Sequence, residues 1–211
     1  MSSGHWRTIC QRAAAEQAIQ EARTGWRLAD NQPVPFDHRW EHVQEVVRLA
    51  LWLAHETNAD LETVEAAAWL HDVCKGQRSH AALGATAATR ILAKTDFPAG
   101  KIPAVADTIR QHEKLYRPAD AAPLQPIEAA VLWDADKLTK LGAQALAFML
   151  SAHYLAGQPL DERLRNCEEF TQETLSRTVR SMNTAPARQL AVERYQHMVQ
   201  VLDLWRQENE F

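Results

Sequence analysis

Apolar residues recur at three- and four-residue spacing along most of this chain, the period of one face of an α-helix. Asn-Gly or Asp-Gly hairpin signals between alternating β-branched runs do not occur. The pattern predicts about eight helices. The first covers residues 6–26. A loop at 29–35 with two prolines follows, because proline cannot continue a helix. The second opens at Asp37 as N-cap and runs to His55. Asp60 caps a third, which places Leu61, Val64, Ala67, Ala68 and His71 on one face and ends near Asp72. Residues 76–79 break the chain, and Ser79 is expected to cap a fourth helix from His80 to about Ala93. A fifth is predicted over 102–116. A proline-bearing surface loop covers 117–126, and a sixth helix is predicted from Ile127 through Asp136 towards Ala156. The last two cover 161–182 and 186–208, with Thr184 as N-cap and Pro186 in the first turn.

This is an all-α chain of 211 residues, long enough for one domain to bury roughly 70% of its unfolded surface. No repeat or low-complexity tract divides it, so a single domain over 1–211 is the expected organisation. The formal net charge is −4, and no basic excess points to nucleic acid. No stretch approaches the roughly 18–20 apolar residues of a membrane span. The three cysteines, Cys10, Cys74 and Cys167, are far apart and form no CxxC pair, which predicts no disulfide framework. With no apolar run at the N-terminus, the expected location is the cytoplasm.

Several polar residues fall on faces that should be buried. His42 shares its face with Val46 and Leu49. Taken alone, it reads as a satisfied core histidine. His71 lies on the apolar face of the third helix and is followed at once by Asp72. A buried, unpaired aspartate is costly, so the pair needs either a dedicated hydrogen-bond network or a metal. His112 follows Val105 and Ile109 at helical spacing and also faces inward. On position alone, His80 reads as an exposed helix start, with the small residues Gly84 and Ala85 after it for close helix approach. Asp134 and Asp136 enter a strongly apolar run, and helical phase does not separate them. Asp136 is a candidate ligand, and Asp134 reads equally as a partner that orients a ligating histidine or as a helix-internal or cap carboxylate with no role in chemistry. Lys75 and Lys137 are expected to be solvated, yet each lies within a turn of a candidate ligand, where a phosphate would want a cation. His38 sits one turn before His42, with no role assigned.

The order His42, His71-Asp72, Asp136 resembles the HD superfamily of metal-dependent phosphohydrolases. HRWEHVQEVVRLA is similar to that family's first helix, AAAWLHDVCKG to its HD motif, and LWDADKLTKLG to its final motif. In relatives with a D-x-D-[KR] run the second aspartate is the ligand, which implicates Asp136 and leaves Lys137 for substrate phosphate. Thr139 departs from the aspartate of many similar chains. SHAALGATAATRIL and IRQHEKLY are similar to the H-x-x-x-G-A and I-x-x-H-E segments of members that hold two metals. SMNTAPARQLAVERYQHM resembles the closing helices of small bacterial HD hydrolases.

The resemblance implies a helical HD-domain bundle with its core at about 36–145. The N-terminal helix 6–26 and the C-terminal helices 161–208 pack on that core. It implies a metal on His42, His71, Asp72 and Asp136. Members of the family either hold a second metal on the counterparts of His80 and His112, with Asp72 as the bridge, or use those histidines as catalytic or phosphate-binding groups beside one metal, so one or two ions per chain are implied. Asp72, Lys75, His80, His112 and Lys137 are the implied catalytic groups. Mixed histidine and carboxylate ligation suits Mn, Fe, Co, Ni or Zn better than Mg. The implied substrate is a small phosphorylated molecule, a nucleotide or a related metabolite, cleaved at a phosphoester or phosphoanhydride. Two rival readings remain: a di-iron oxygenase of the same fold, and a non-catalytic nucleotide-binding module. Assembly as a homo-oligomer is left open.

Overall fold

The computed structural model describes residues 5–35 and 38–208, and among these no β-strand occurs. The Asp37 cap predicted for the second helix lies outside the described residues. The chain separates into two compact units, one of Met1–Glu113 with Leu124–Asp136, the other of Lys114–Pro123 with Lys137–Phe211.

In the first unit, α1 (Trp6–Trp26) buries Trp6, Cys10, Ala14, Ala18 and Ala22, a stripe at four-residue spacing. Its small side chains let it lie close on α2 (Arg39–Thr57), α3 (Leu61–Leu70) and α4 (His80–Leu92). The caps that bound these helices are local chemistry. Asp60 Oδ1 accepts the Thr63 N–H at 2.9 Å, as predicted from the sequence. Asn58 closes α2 in the left-handed conformation, with its N–H turned back to Ala54 and His55 carbonyls. Ser79 is left-handed and makes no side-chain cap. The Glu113 carboxylate takes that role instead, accepting the Ala81 N–H at 3.2 Å.

α5 (Ile102–Arg110) ends six residues short of the predicted Tyr116. The chain tightens into a turn there, with the His112 N–H donating to the Ile109 carbonyl. α6 (Ile127–Leu138) also stops early. The predicted single helix to Ala156 is interrupted at Gly142, whose φ of +98° suits glycine and no L side chain. Leu49, Leu53, Leu70, Leu92, Ile109 and Leu132 are fully buried in the first unit, each contributing about 1.5–3 kcal/mol.

Gly84 marks the closest approach of α4 to the end of α3. A Cβ added there would meet the His71 carbonyl oxygen at 3.2 Å and the Ile109 side chain at 3.5 Å. Gly84→Val, adding two further carbons, is therefore expected to cost about 1–3 kcal/mol by overpacking, read as a lower midpoint in urea unfolding.

The second unit holds the remaining helices: α7 (Ala143–Leu150), α8 (Leu160–Phe170), α9 (Ser176–Arg180) and α10 (Ala185–Glu208). The predicted helix over 161–182 contains a π-helical turn at Thr171–Leu175, between α8 and α9. Thr184 accepts the Ala187 N–H at 3.4 Å, as its predicted cap role requires.

Candidate metal centre

α3 stops at Leu70, so His71 and Asp72 lie in the turn that follows it. In a continuing helix, adjacent side chains would diverge by about 100°. In the turn, His71 Nε2 and Asp72 Oδ2 come within 3.5 Å of each other. His42, on the inner face of α2, brings its Nε2 to 3.8 Å from the same oxygen and to 3.4 Å from Asp136 Oδ1. The other carboxylate oxygen, Oδ1, faces a second group. His112 Nε2 lies 3.5 Å from it, His80 Nε2 3.8 Å and Lys75 Nζ 3.4 Å. Two sets of metal-capable atoms result, His42–His71–Asp72 and Asp72–His80–His112. Within each set the atoms lie within 4.8 Å of one another.

The histidine orientations are set by backbone. His71 Nδ1 is 2.7 Å from the Ala68 carbonyl, and His112 Nδ1 is 2.7 Å from the Ile109 carbonyl. A carbonyl can only accept, so each Nδ1 donates to it and each ring turns its Nε2 towards the cluster. His71 is fully buried, and its Nε2 has no hydrogen-bond partner among the described residues. A buried polar atom without a hydrogen-bond partner is costly, and such an atom is suited to ligate a cation. A divalent cation fits this donor set of neutral imidazoles and carboxylates.

The electrostatics agree. Burial by itself would raise the Asp72 pKa. The adjacent His71 and His112 rings and the Arg39 guanidinium outweigh it and hold the carboxyl well below its ordinary range. His80 is the most open of the cluster histidines, with its side chain 22% exposed. Its pKa is lowered by burial first and then by the Lys75 charge.

The structure thus brings together six predicted residues, His42, His71, Asp72, His80, His112 and Asp136, with Lys75 beside them. It also separates the two aspartates of α6: Asp136 is the one beside His42, whereas Asp134 is fully buried with partners of its own. His38 is half-buried at the N-cap position of α2. Lys137 corrects an expectation, since it is 3% exposed rather than solvated. Two residues absent from the predicted site stand close to it. Arg39 Nη2 donates to Asp72 Oδ2 at 2.5 Å, and Glu113 Oε1 is 3.6 Å from His80 Nδ1. Arg39 was legible as a cation one turn before His42, and Glu113 as the acid next to His112.

The family model for the HD domain matches residues 39–141. The chain is 32% identical over 171 residues to the uncharacterised protein YpgQ of Bacillus subtilis, a span of 77% of this chain and 80% of YpgQ. The crystal structure of YpgQ in complex with ADP superposes with a TM-score of 0.66 at 24% identity, covering 95% of this chain and 98% of that one. A Lactobacillus plantarum protein superposes at 0.67 and 24% identity, over 99% and 98%. A Bacillus thuringiensis protein described as an HD-superfamily hydrolase superposes at 0.63 and 23%, over 94% and 97%. No helix among the described residues is long and apolar enough to cross a membrane. With His71-Asp72 at the centre of its buried cluster and a relative matched over most of both chains, this protein belongs to the HD-domain family.

Proposed function

We propose that the chain is a metal-dependent phosphohydrolase acting on a phosphoester or phosphoanhydride of a nucleotide or related small phosphorylated metabolite. The observation that carries this reading is the Asp72 carboxylate, shared between two histidine sets, with Lys75 on one of its oxygens. His42, His71, Asp72 and Asp136 would hold one divalent cation, and Asp72, His80 and His112 a second. When bound, such ions supply Lewis acidity towards phosphoryl oxygens and make water a nucleophile near neutral pH.

The chain's own residues do the rest. Nδ1–H bonds to the Ala68 and Ile109 carbonyls keep two rings from turning. The Lys75 ammonium, a third exposed, provides a compact cation where a phosphate would approach. His80, more open than the other cluster histidines, faces the same approach. Lys137 is assigned to substrate phosphate on family resemblance alone. The ADP complex of YpgQ supports a nucleotide as the substrate class.

The test is metal analysis of protein purified without chelator, followed by phosphate and pyrophosphate release from a panel of nucleoside phosphates. Bound transition metal and release that stops with chelator are expected. Metal without release from any member of the panel would favour the binding-module reading. Oxygen consumption tied to turnover would replace the hydrolase with a di-iron oxygenase.

A further inference from the structure

The Asp72 carboxylate faces a guanidinium as well as four histidines. Arg39 is one turn before His42 on α2, with its side chain only 12% exposed. Nη2 donates to Asp72 Oδ2 at 2.5 Å, and Nε donates to Glu21 Oε2 at 2.9 Å. Glu21 belongs to α1, which lies outside the residues matched by the HD-domain model. One turn earlier on the same face, Gln17 Nε2 donates to the Lys75 carbonyl at 3.1 Å. α1 therefore bonds the Lys75 end of the segment 72–75 directly and reaches its Asp72 end through Arg39.

A buried cation costs several kcal/mol unless its partners are well placed. Arg39 has one carboxylate on each side. A guanidinium is rigid and planar, so with Nε held on Glu21 its Nη2 is aimed in a fixed direction at Oδ2, anchoring that oxygen as well as balancing its charge. The grip leaves Oδ1 directed at His80, His112 and Lys75, while Oδ2 remains on the side of His42 and His71. Glu21 balances the charge of Arg39, which would otherwise oppose a bound cation.

We infer that Arg39, braced by Glu21 of α1, is a positioning residue that fixes the Asp72 carboxylate so that its two oxygens address the two histidine sets. The inference rests on the metal-site reading above. It makes the N-terminal helix a working part of the site rather than a covering layer.

The test is Mn(II) titration of the full chain, followed by electron paramagnetic resonance, for Arg39→Met, Arg39→Lys, Glu21→Gln and His71→Ala, with thermal melts as the check on folding. Arg39→Met is expected to weaken Mn(II) binding by about 10–100-fold, the usual cost of losing a group that orients a ligand. Arg39→Lys should restore only part of this, since a point charge cannot fork, and Glu21→Gln should show a smaller loss in the same direction. Binding in Arg39→Met that equals or exceeds that of wild type overturns the inference, because Arg39 would then be a counter-ion that metal displaces. A raised KM with Mn(II) binding unchanged also overturns it, by placing Arg39 on substrate phosphate. Where Arg39→Met does not fold, unchanged binding in both Arg39→Lys and Glu21→Gln rejects the proposal. His71→Ala separates the two failures. If it binds Mn(II) like wild type, the metal-site reading falls; if it loses Mn(II) while the Arg39 variants do not, only the role of Arg39 falls.

Discussion

Asp72→Asn is expected to lose divalent metal from both histidine sets at once, and hydrolysis with it. The carboxylate is common to the two sets, so no other single substitution in the cluster should remove both. An amide keeps the shape but presents one weakly basic oxygen and a donor, so it cannot bridge. The loss should exceed the roughly 10–100-fold that follows removal of a supporting hydrogen bond. A second effect appears in the metal-free protein. Arg39 and Lys75 each lose a partner, and Arg39 is buried. Stability at neutral pH should fall by about 3 kcal/mol, the lower end of the ~3–5 kcal/mol for breaking a buried ion pair, because Glu21 still faces Arg39.

The pH dependence follows with a definite sign. A carboxylate held below its unfolded pKa adds stability that is fully present above that unfolded value, about 3.9, and is lost as pH falls through the lower folded value. The metal-free wild type should therefore keep its advantage over Asp72→Asn from neutral pH down through the ordinary carboxylate range and lose it only below. Urea unfolding with chelator at a series of pH values measures this. Retention of metal in one set, or wild-type turnover, would remove Asp72 from the centre of the site.

Helical phase alone placed His42, His71 and His112 on inward faces, because apolar neighbours at three- and four-residue spacing define which side is buried. Phase could not say that three such faces converge; that came from the order of the motifs. Nor could it separate Asp134 from Asp136, since both fall within an arc that α6 buries. The early ends of α5 and α6 are not legible in the sequence for a related reason. Both helices stop inside helix-compatible sequence, and the decisive features are a turn at His112 and a left-handed glycine at position 142. The burial of Lys137 and Arg39 is hidden in the sequence because charge predicts exposure by default. Arg39 is buried only because Glu21 and Asp72, 18 residues before it and 33 after it, meet it from both sides. Pairing at that separation leaves no local trace.

His112→Ala should reduce the metal content from two ions per chain to one. The imidazole it removes is 1% exposed, has Nδ1 fixed to the Ile109 carbonyl, and sets Nε2 3.5 Å from Asp72 Oδ1. Without it the second set keeps only His80 and one carboxylate oxygen, too few protein ligands to hold a transition metal against water. The first set loses nothing, because His42, His71, Asp136 and the other oxygen of Asp72 are untouched. Paired ions stabilise both the attacking and the leaving oxygen in phosphoryl transfer, so the one-metal variant should turn over about 10²-fold more slowly or worse, the order expected when one preorganised stabilising group is lost. The measurement is metal per chain by elemental analysis beside kcat on the same preparation. If wild type holds one ion, and His112→Ala keeps it while losing turnover, then His80 and His112 serve the phosphate and not a second metal. The shared carboxylate would then act on one side as a ligand and on the other as the acceptor that orients Lys75 and the two later histidines.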